Sequence, residues 1–448
     1  MTAAANLVAA RLDRLPFSRT LWRLVLLVSL GGAFELYDIF LTAYIAPGLR
    51  REGVDPGFFI FCTFMGMLVG CIGFGSIADR LGRRAIFISS LLWYSAATAL
   101  MAFQTSARGI DIWRFVASVG IGLEQVTIDA YIPELVPPSG RGRAFAFYQF
   151  IGFTSVPVVA LCGWLLVPRA PLGLTGWRWV SLIGAAGALI AWALRQGLPE
   201  SPRWLAIHGR VDEAERVLER LEAALIRDTG RQLPPPVSAA VVLESRSSGF
   251  REILRPPYRS RTLLLSVFNL LQTVGFYGFG NWVPTLLVGR GIHLTASLQY
   301  AFIIAIANPV GPLLGMLVAD RMERKWQIVS AGAGVGAFMF LFARENTPAL
   351  LIALGVMVTL SNNWMSFAFH NYQAELFPTR IRSRAVGFVY AWSRVSAAFA
   401  GPAIAFFLAR GGTSAVALFI GAAMALMVIA IGAFGPRTRN RTLEEISG

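Results

Sequence analysis

The stretch Gly75-Ser-Ile-Ala-Asp-Arg-Leu-Gly-Arg-Arg84 joins two long apolar runs through a short basic turn, and a variant of it returns as Val318-Ala-Asp-Arg-Met-Glu-Arg-Lys325. The two copies are offset by 241 positions. A second pair of segments, Tyr131-Ile-Pro-Glu-Leu-Val-Pro137 and Tyr372-Gln-Ala-Glu-Leu-Phe-Pro378, has the same offset. Two unrelated patterns that share one long offset predict a duplicated unit, sized like half of a two-part membrane transporter.

The composition of the chain indicates an integral membrane protein. Of its 448 residues, 55% are hydrophobic and only 15% are charged, with a mean hydropathy of +0.59. Such a chain is too apolar for a soluble protein of this size. The net charge of +15 does not indicate a nucleic-acid partner, because the arginines lie in short loops between apolar runs. We therefore expect lipid, and no nucleic acid, around the chain.

The apolar runs predict an all-α membrane protein with 12 transmembrane helices, since a span needs about 20 apolar residues. The predicted spans are 22–47, 57–79, 85–104, 111–136, 143–167, 177–197, 262–288, 297–320, 327–344, 347–373, 384–409 and 412–435. This pattern predicts two pseudo-symmetric six-helix bundles, 1–197 and 261–436. A cytoplasmic linker with short helices, 198–260, joins them, and a cytoplasmic tail, 437–448, follows.

Positive charge predicts the orientation, because cytoplasmic loops of membrane proteins are enriched in lysine and arginine. One side carries the basic linker and Arg80, Arg83, Arg84, Arg141, Arg143, Arg321, Arg324, Lys325, Arg380, Arg382, Arg384, Arg437, Arg439 and Arg441. The opposite loops hold fewer cations, namely Arg50, Arg51, Arg169 and Arg290. Both termini are therefore predicted to be cytoplasmic, and the protein to reside in the cell (inner) membrane.

Ionisable residues inside a span are costly and predict function. Glu35 and Asp38 lie three residues apart on one face of the first span, and the fourth span carries Arg114 and Glu124. Asp38 and Arg114 fall in the outer half of the bundle. These four residues are predicted to couple transport to protons, because a carboxyl group whose proton affinity depends on an arginine links a proton gradient to a conformational cycle. The alternative is a permanent structural ion pair.

Arg394 lies about ten residues into the eleventh span, too deep for its side chain to reach either surface easily. A guanidinium matches a carboxylate well. The sequence therefore predicts an anion site in the second half, and the alternative is a guanidinium neutralised by a first-half acid. Amides and aromatic residues at comparable depth complete the predicted substrate site: Gln272, Phe276, Tyr277, Asn281, Asn308, Asn362, Asn363, Trp364, Tyr390 and Trp392. Aromatic residues at helical spacing are also typical of cores and lipid-facing surfaces.

The basic turns predict a cytoplasmic gate of ion pairs that holds the inside shut when the outside is open. We expect Asp79 to pair with Arg80, Glu134 to pair with Arg141 or Arg143, and Glu375 to pair with Arg382. The remaining members of this predicted gate are Arg84, Asp320 and Arg321.

No enzymatic or metal-binding motif stands out in the sequence. The three histidines, at positions 208, 293 and 370, are scattered, and no metalloprotease motif or nucleophile elbow occurs. The three cysteines, at positions 62, 71 and 162, lie in apolar runs, as is typical of buried thiols. We expect no enzyme activity, no metal and no cofactor.

These motifs resemble the major facilitator superfamily over essentially the whole chain. Gly75 to Arg84 is similar to its loop signature between spans two and three, although the second copy has Met316 and Glu323 where the glycines of the signature would fall. The segments 199–205 and 441–446 resemble the sugar-porter branch and its organic-ion relatives. The resemblance implies two bundles that rock around a central site, with a complete pathway in a single chain.

Span seven resembles one group within that branch. Sugar porters usually carry paired glutamines there, whereas this chain has Leu271 followed by Gln272 and then a Phe-Tyr-Gly sequence. That pattern is similar to metabolite and aromatic-acid proton symporters, including nicotinate transporters. The resemblance implies that Asp38 and Arg114 form the proton-coupling pair and that Arg394 binds the anion.

The sequence thus predicts a proton-coupled importer of a small organic anion, in particular an aromatic monocarboxylate such as nicotinate. Two rivals stay open, a sugar or polyol symporter and a drug exporter driven by protons. A transporter-like receptor is a third, and substrate counterflow would distinguish it.

Overall fold

The computed structural model describes residues 3–16, 18–137, 140–236, 250–311, 313, 322–377 and 379–438. Asp320 and Arg321 of the predicted gate lie outside the described residues, as do the side chains of Asp79, Arg80, Asp129 and Arg382. Nearly all of the described chain is helical, which confirms the all-α prediction.

Seven α-helices are formed by the described residues of the first half. Asp55 begins the third of them by accepting a hydrogen bond from the backbone N–H of Phe58, and Ser106 begins the fifth by accepting from Gly109. The helices are α1 Ala3–Asp13, α2 Arg19–Leu49, α3 Pro56–Leu81, α4 Arg83–Ala102, α5 Ala107–Leu135, α6 Arg141–Leu166 and α7 Gly176–Arg195. Helix α1 was not predicted, because its 11 residues are too few to meet the length criterion that identified the spans.

The described residues of the linker and the second half form eight α-helices. They are α8 Pro202–Ile207, α9 Val211–Thr229, α10 Tyr258–Gly280, α11 Val283–Gly289, α12 Leu294–Ala305, α13 Arg324–Arg344, α14 Pro348–Glu375 and α15 Thr379–Phe434. Helix α15 is broken at Gly411 and Gly412, and the left-handed φ of +62° at Gly412 suits only glycine well. The break divides α15 into the two predicted spans, 384–409 and 412–435.

Nine helices among the described residues are long and apolar enough to cross a membrane. They include α15, which holds two spans, and they exclude α5, whose buried charges lower its hydropathy. With α5 and with α12, the described part of the eighth predicted span, the helices account for the predicted 12.

The duplication predicted from the sequence reappears as matching contacts. In the first half Arg83 lies 3.4 Å from Glu134, and 241 positions later Arg324 lies 3.0 Å from Glu375. Tyr131 and Tyr372 are related by the same offset, and each donates a hydrogen bond to a proline carbonyl just after the last helix of its half. The two halves therefore repeat the same contacts between their helix ends.

We call the end of the molecule that carries residues 198–236 and 250–257 the linker side and the opposite end the far side. On the far side the halves are packed together. Phe61 meets Phe399 at a ring distance of 5.8 Å, and Trp164 stacks on Phe302 at 5.6 Å. A Cβ atom built on Gly57 would lie 2.7 Å from Ala405, so this approach needs a glycine. The seam between the halves is closed at this end.

Helix α1 lies on the linker helices at the linker side. Val8 and Leu12 share an apolar cluster with Trp204 and Leu218 of α8 and α9. Ion pairs border this cluster: Glu222 of α9 accepts hydrogen bonds at 2.7 Å from Arg11 and Arg14, and Asp13 pairs with Arg203. The amino-terminal helix and the linker thus form one packed unit under the first half.

Candidate functional site

Asp38 of α2 and Arg114 of α5 are in contact inside the first bundle. A guanidinium nitrogen of Arg114 lies 3.2 Å from the carboxylate of Asp38, and a second one donates to the Asp38 carbonyl at 2.7 Å. Arg114 is 0% exposed. The arginine thus holds both the side chain and the backbone of this segment of α2.

Three threonine hydroxyls surround this pair. Arg114 Nε donates to Thr63 of α3 at 2.9 Å, and the Thr63 hydroxyl lies 3.4 Å from that of Thr42. Thr98 of α4 lies 3.4 Å from the Asp38 carboxylate. Sequence reasoning missed these residues, because a threonine inside an apolar helix usually bonds its own backbone.

Glu124 lies in a second, separate ion pair. Its carboxylate is 2.7 Å from Arg195, at the end of α7, and both side chains are fully buried. The guanidinium of Arg195 also donates to the carbonyls of Val28 and Phe87 and lies 3.6 Å from the Phe87 ring centre. A Cβ atom on Gly31 would overlap it at 1.3 Å. Arg195 was not predicted because it lies at the end of the predicted span 177–197, where an arginine side chain usually reaches the membrane surface.

Glu35 is fully buried and accepts a hydrogen bond of 3.4 Å from Tyr148 of α6. The four predicted coupling residues therefore occupy three places. Asp38 is joined to Arg114, Glu124 is joined to Arg195, and Glu35 meets Tyr148.

Arg394 is buried between the halves, with 3% of its surface exposed. It donates to the hydroxyl groups of Tyr277 at 3.2 Å and Tyr390 at 3.5 Å, and to the side-chain carbonyl of Gln125 in the first half. No carboxylate in the described part of the chain lies within 4.0 Å of the guanidinium. Among the described residues, no first-half acid neutralises Arg394. The first-half group that contacts its guanidinium is the amide of Gln125.

Gln125 is a site residue that sequence reasoning missed. It directly follows Glu124, and in this span only the charged residues were predicted to be functional. Its side chain is the polar link between α5 of the first half and Arg394 of the second.

A narrow cavity lies between the halves beside this cluster. Its unfilled space is about 410 Å³, including the part that opens to solvent. The lining contains four predicted substrate residues, Phe276, Asn308, Asn362 and Asn363. The remaining lining residues are Phe40, Tyr44, Val156, Phe279, Gly280, Val283, Ala301, Ile304, Ala305 and Thr359.

Aromatic rings connect the cavity to Arg394. The ring of Phe276, on the cavity wall, meets Tyr277 edge to face at 5.0 Å, and Tyr277 receives the hydrogen bond from Arg394. Phe64 of the first half lies 4.6 Å from the Tyr277 ring. The cation therefore lies one aromatic ring away from the cavity wall.

The amides of the cavity keep part of their hydrogen-bonding capacity free. Asn363 donates to the Asn308 carbonyl at 3.3 Å, and Asn362 donates to the Gly275 carbonyl at 3.3 Å. Within the described structure, the side-chain oxygen of Asn362 has no hydrogen-bond partner, and the same holds for both polar side-chain atoms of Asn281, which is buried outside the cavity lining. Buried amides without partners suit a polar ligand.

Seven predicted substrate residues are not part of the cavity lining. Three of them, Arg394, Tyr277 and Tyr390, form the hydrogen-bonded cluster described above. The other four are Asn281, Gln272, which donates to Thr273 at 2.9 Å, Trp364, which donates to Gln327 at 3.2 Å, and Trp392, which is exposed beside Phe388. The structure therefore brings together Asn308, Asn362, Asn363 and Phe276 in the lining, and it leaves these four residues outside.

The ion pairs of the predicted gate differ from expectation. Glu134 pairs with Arg83, whereas Arg141 lies 3.8 Å from Asp13 and Arg143 is exposed. Arg83, at the start of α4, takes the place expected for Arg141, which pairs with Asp13 instead, and the alternative pairing of Glu134 with Arg143 stays a prediction. Glu375 pairs with Arg324, and its expected pairing with Arg382 involves a side chain outside the described residues.

A carboxylate stabilises the turn between α3 and α4. Glu200 accepts hydrogen bonds from the backbone N–H groups of Arg83 and Arg84, and the Arg84 guanidinium donates to the Gln196 carbonyl at 2.8 Å. These contacts, like the two ion pairs, lie within one half.

Comparison with known proteins agrees with this architecture. Residues 24–448 match the sequence profile of the family described as sugar (and other) transporter. A putative metabolite transport protein of Bacillus subtilis, YyaJ, is 30% identical over 444 residues, which cover 97% of this chain and 96% of that protein. The niacin transporter NiaP of Acinetobacter baylyi is 25% identical and covers 98% of this chain and 99% of its own length.

A solved structure has the same fold. The inward-open xylose transporter XylE from E. coli superposes with a TM-score of 0.75 at 20% identity, covering 95% of this chain and 99% of that chain. The family that the chain matches and its full-length relatives are transporters rather than enzymes. The chain belongs to the sugar (and other) transporter family of the major facilitator superfamily.

Proposed function

We propose that this transporter imports a small organic anion together with protons, and that an aromatic monocarboxylate such as nicotinate is the preferred substrate. The observation that carries the proposal is Arg394, a buried guanidinium held by two hydroxyl groups and an amide, with no carboxylate within 4.0 Å among the described residues.

A buried cation without a counter-ion is unfavourable, because solvation is lost and no opposite charge replaces it. A substrate carboxylate would supply that charge and would meet the planar guanidinium with two hydrogen bonds. Tyr277 and Tyr390 hold the guanidinium in place. They make an anion the ligand that gains most from this site.

The cavity favours a flat substrate with a polar ring atom. Phe40 and Phe276 provide apolar surface for an aromatic ring, and Asn362 and Asn363 provide amide groups on the same lining. The similarity to the niacin transporter of Acinetobacter baylyi supports this choice. Tyr390 and Tyr277 would contact the carboxylate end together with Arg394.

Proton coupling would operate at Asp38 and Arg114. Protonation of Asp38 removes the charge attraction to Arg114 across 3.2 Å. The guanidinium is then held mainly by the Asp38 carbonyl and Thr63, so α2 and α5 can move relative to each other. Glu35 and Glu124 stay in the proposed coupling group, the first through Tyr148 and the second through Arg195.

The positive charge of the linker side assigns it to the cytoplasm under the positive-inside rule. The far side, closed through Trp164 and Phe302, would then face outward, so the pathway would be closed to the outside. We propose that the chain resides in the cell (inner) membrane with both termini inside. Its units would be the bundles 1–197 and 261–436, the linker 198–260 and the tail 437–448, and it would work as a monomer.

We propose that the gate ion pairs at the linker side brace each bundle. The pair of Arg83 and Glu134 joins α4 to α5, and that of Arg324 and Glu375 joins α13 to α14. Each pair lies inside one half, so it can persist while the halves rock against each other.

A sugar or polyol symporter is the second candidate. The cavity amides Asn308, Asn362 and Asn363 suit hydroxyl groups, and the chain shares its fold with a xylose transporter. Arg394 disfavours this candidate, because a neutral substrate leaves the buried charge unmatched. The same charge disfavours export of cationic drugs.

Uptake of labelled nicotinate into proteoliposomes tests the proposal. The native protein should accumulate nicotinate under an inward proton gradient and not when the gradient is collapsed, and Arg394→Gln should abolish uptake. Arg344→Gln is the matched control, because Arg344 is exposed at the far end of α13. Uptake of xylose without uptake of nicotinate or benzoate would assign the site to sugars, and binding without counterflow would indicate a receptor.

A further inference from the structure

Asp111 is a buried carboxyl group at the outer end of α5 that none of the roles above uses. Only 9% of its surface is exposed. Its Oδ1 atom has no hydrogen-bond partner in the described structure, and no described cation lies within 4.0 Å of its carboxylate. Burying a charged carboxylate without a cation is costly, so such a group stays buried most readily with a proton bound.

The helix register turns Asp111 towards α3. Phe115, Ser118 and Gly122 of α5 lie against Gly66 and Met67 of α3, as the close approach of their atoms shows. Asp111 precedes Phe115 by four residues and Ser118 by seven, so it belongs to the same face of α5. It therefore points at the outer part of α3.

The charged and titratable groups around Asp111 come from three helices. Asp55 and Cys62 of the α3 segment are within electrostatic range of its carboxylate. Arg114 follows it by one turn on α5 and is already engaged by Asp38 of α2. Residues 97–102 of α4, at the same level, contain no titratable side chain. The one carboxylate facing Asp111 along α3 is thus of like charge, which adds to the cost of ionisation.

The same part of α3 forms the closed seam on the far side. Asp55 caps α3, and two residues later Gly57 packs against Gly401 and Ala405 of α15. Phe61, one turn further, meets Phe399. The outer part of α3 thus contacts α15 on one face and α5, which carries Asp111, on another, so it links Asp111 to the closed seam.

We propose that Asp111 is a second proton-binding carboxyl group, which takes up a proton when the far side closes and releases it to the outside when the far side opens. The proposal rests on proton-coupled transport as proposed above.

The proposal predicts that acid outside favours the closed far side. The test uses spin labels on cysteines introduced at Arg51 and Arg410, exposed residues of the two halves on the far side, with the three native cysteines replaced by serine. Distances between the labels are measured by double electron–electron resonance in nanodiscs from about pH 4 to about pH 9, a range that covers an ordinary or strongly raised carboxyl pKa. No transport substrate is needed.

The labelled protein should shift towards the short distance as the pH falls. Asp111→Asn should lose much of this pH response and stay at the short distance, because asparagine resembles the protonated acid. Asp111→Glu should retain a pH response. Asp212→Asn, an exposed substitution on α9, is the matched control and should behave like the parent.

The outcomes separate the inference from the proposed function. A full pH response in Asp111→Asn, with loss of that response in Asp38→Asn, would overturn the role of Asp111 and leave proton coupling intact. A parent protein that shows no pH response would count against both. A response reduced by Asp111→Asn and only partly reduced by Asp38→Asn would support two proton sites.

Discussion

The two halves of this transporter treat their buried arginines in opposite ways. In the first half Arg114 and Arg195 each contact a carboxylate, at 3.2 Å and 2.7 Å. In the second half Arg394 is held by hydroxyl and amide groups. A neutralised arginine joins helices, whereas one without a described carboxylate is, in our proposal, the partner of the substrate anion.

The duplication allows the two halves to be compared at equivalent positions, 241 residues apart. The offset of 241 residues relates the ion pair of Arg83 and Glu134 to its second-half counterpart, yet it places Phe153 opposite Arg394 and Phe279 opposite Asp38. Contacts that hold the helix ends together are the same in both halves. The charges in the middle of the membrane differ, which gives each half its own chemistry.

The largest effect is expected from breaking the ion pair of Glu124 and Arg195. Glu124→Gln leaves a buried guanidinium without its carboxylate, which costs about 3–5 kcal/mol. Thermal unfolding in detergent should show a large loss of stability. Replacing both partners by apolar residues, Glu124→Leu with Arg195→Met, should recover most of it.

The stability of the Glu124 variants also decides whether this pair belongs to proton coupling. A stable double variant that still accumulates nicotinate under a proton gradient would restrict Glu124 to a structural role. A stable double variant with uncoupled transport would place Glu124 in the coupling group, as the sequence predicts.

Removing the second-half cation should act on substrate rather than on folding. Arg394→Gln should weaken nicotinate binding by about 3 kcal/mol, roughly a hundredfold in Kd, because the substrate carboxylate loses its charged partner. Equilibrium binding of labelled nicotinate measures this, with Arg344→Gln as the control. Unchanged nicotinate affinity, or a loss of thermal stability as large as that of Glu124→Gln, would remove the contrast between the halves.

Asp38→Asn should uncouple the transporter without blocking the pathway. A gradient of one pH unit supplies about 1.4 kcal/mol per proton, roughly tenfold accumulation. The variant should lose this accumulation and keep nicotinate counterflow, because exchange needs no net proton movement. Accumulation equal to that of the native protein would leave Asp38 and Arg114 as a structural ion pair.

The smallest effect is expected at the surface of the first half. Burial tends to raise the pKa of Glu222, but its hydrogen bonds and charge pairing with Arg11 and Arg14 lower it overall. A carboxyl group whose pKa is lower in the folded than in the unfolded state stabilises the fold when the pH is above its unfolded-state pKa of about 4.3. This stabilisation of about 1 kcal/mol is lost as the pH falls through the folded-state pKa.

Hydrogen exchange of α1 measures this contribution. Exchange rates corrected for intrinsic pH dependence should rise at acid pH in the native protein, and Glu222→Gln should show the faster exchange already at neutral pH. Glu219→Gln, an exposed substitution on the same helix, is the control. Equal protection of α1 in native and Glu222→Gln protein would show that the apolar cluster alone holds this helix.

The sequence was sufficient for the fold because span length and the repeated motifs are one-dimensional signals. Apolar runs of about 20 residues predict helices wherever they occur, and the offset between Tyr131 and Tyr372 indicates the duplication without any coordinates. Helix α1 escaped this approach, since the contacts that stabilise it come from α8 and α9, more than 180 residues away.

The candidate site was only partly predictable. Asp38, Arg114 and Arg394 could be predicted because a charged side chain inside a membrane span costs free energy and is rarely present without a function. Their partners depend on which helices meet and at what height, so Thr63, Gln125 and Arg195 emerged only from the structure. The same limitation explains why Arg83, rather than Arg141, pairs with Glu134.

The stacked rings of Trp164 and Phe302 give this transporter a built-in optical signal. The rings lie in planes 20° apart across the seam between the halves, so opening of the far side must separate them. Water reaching the indole would then change its ultraviolet emission. Comparing native protein with Trp164→Phe isolates the fluorescence contribution of Trp164. Stopped-flow fluorescence can then time the opening of the far side without dyes or labels.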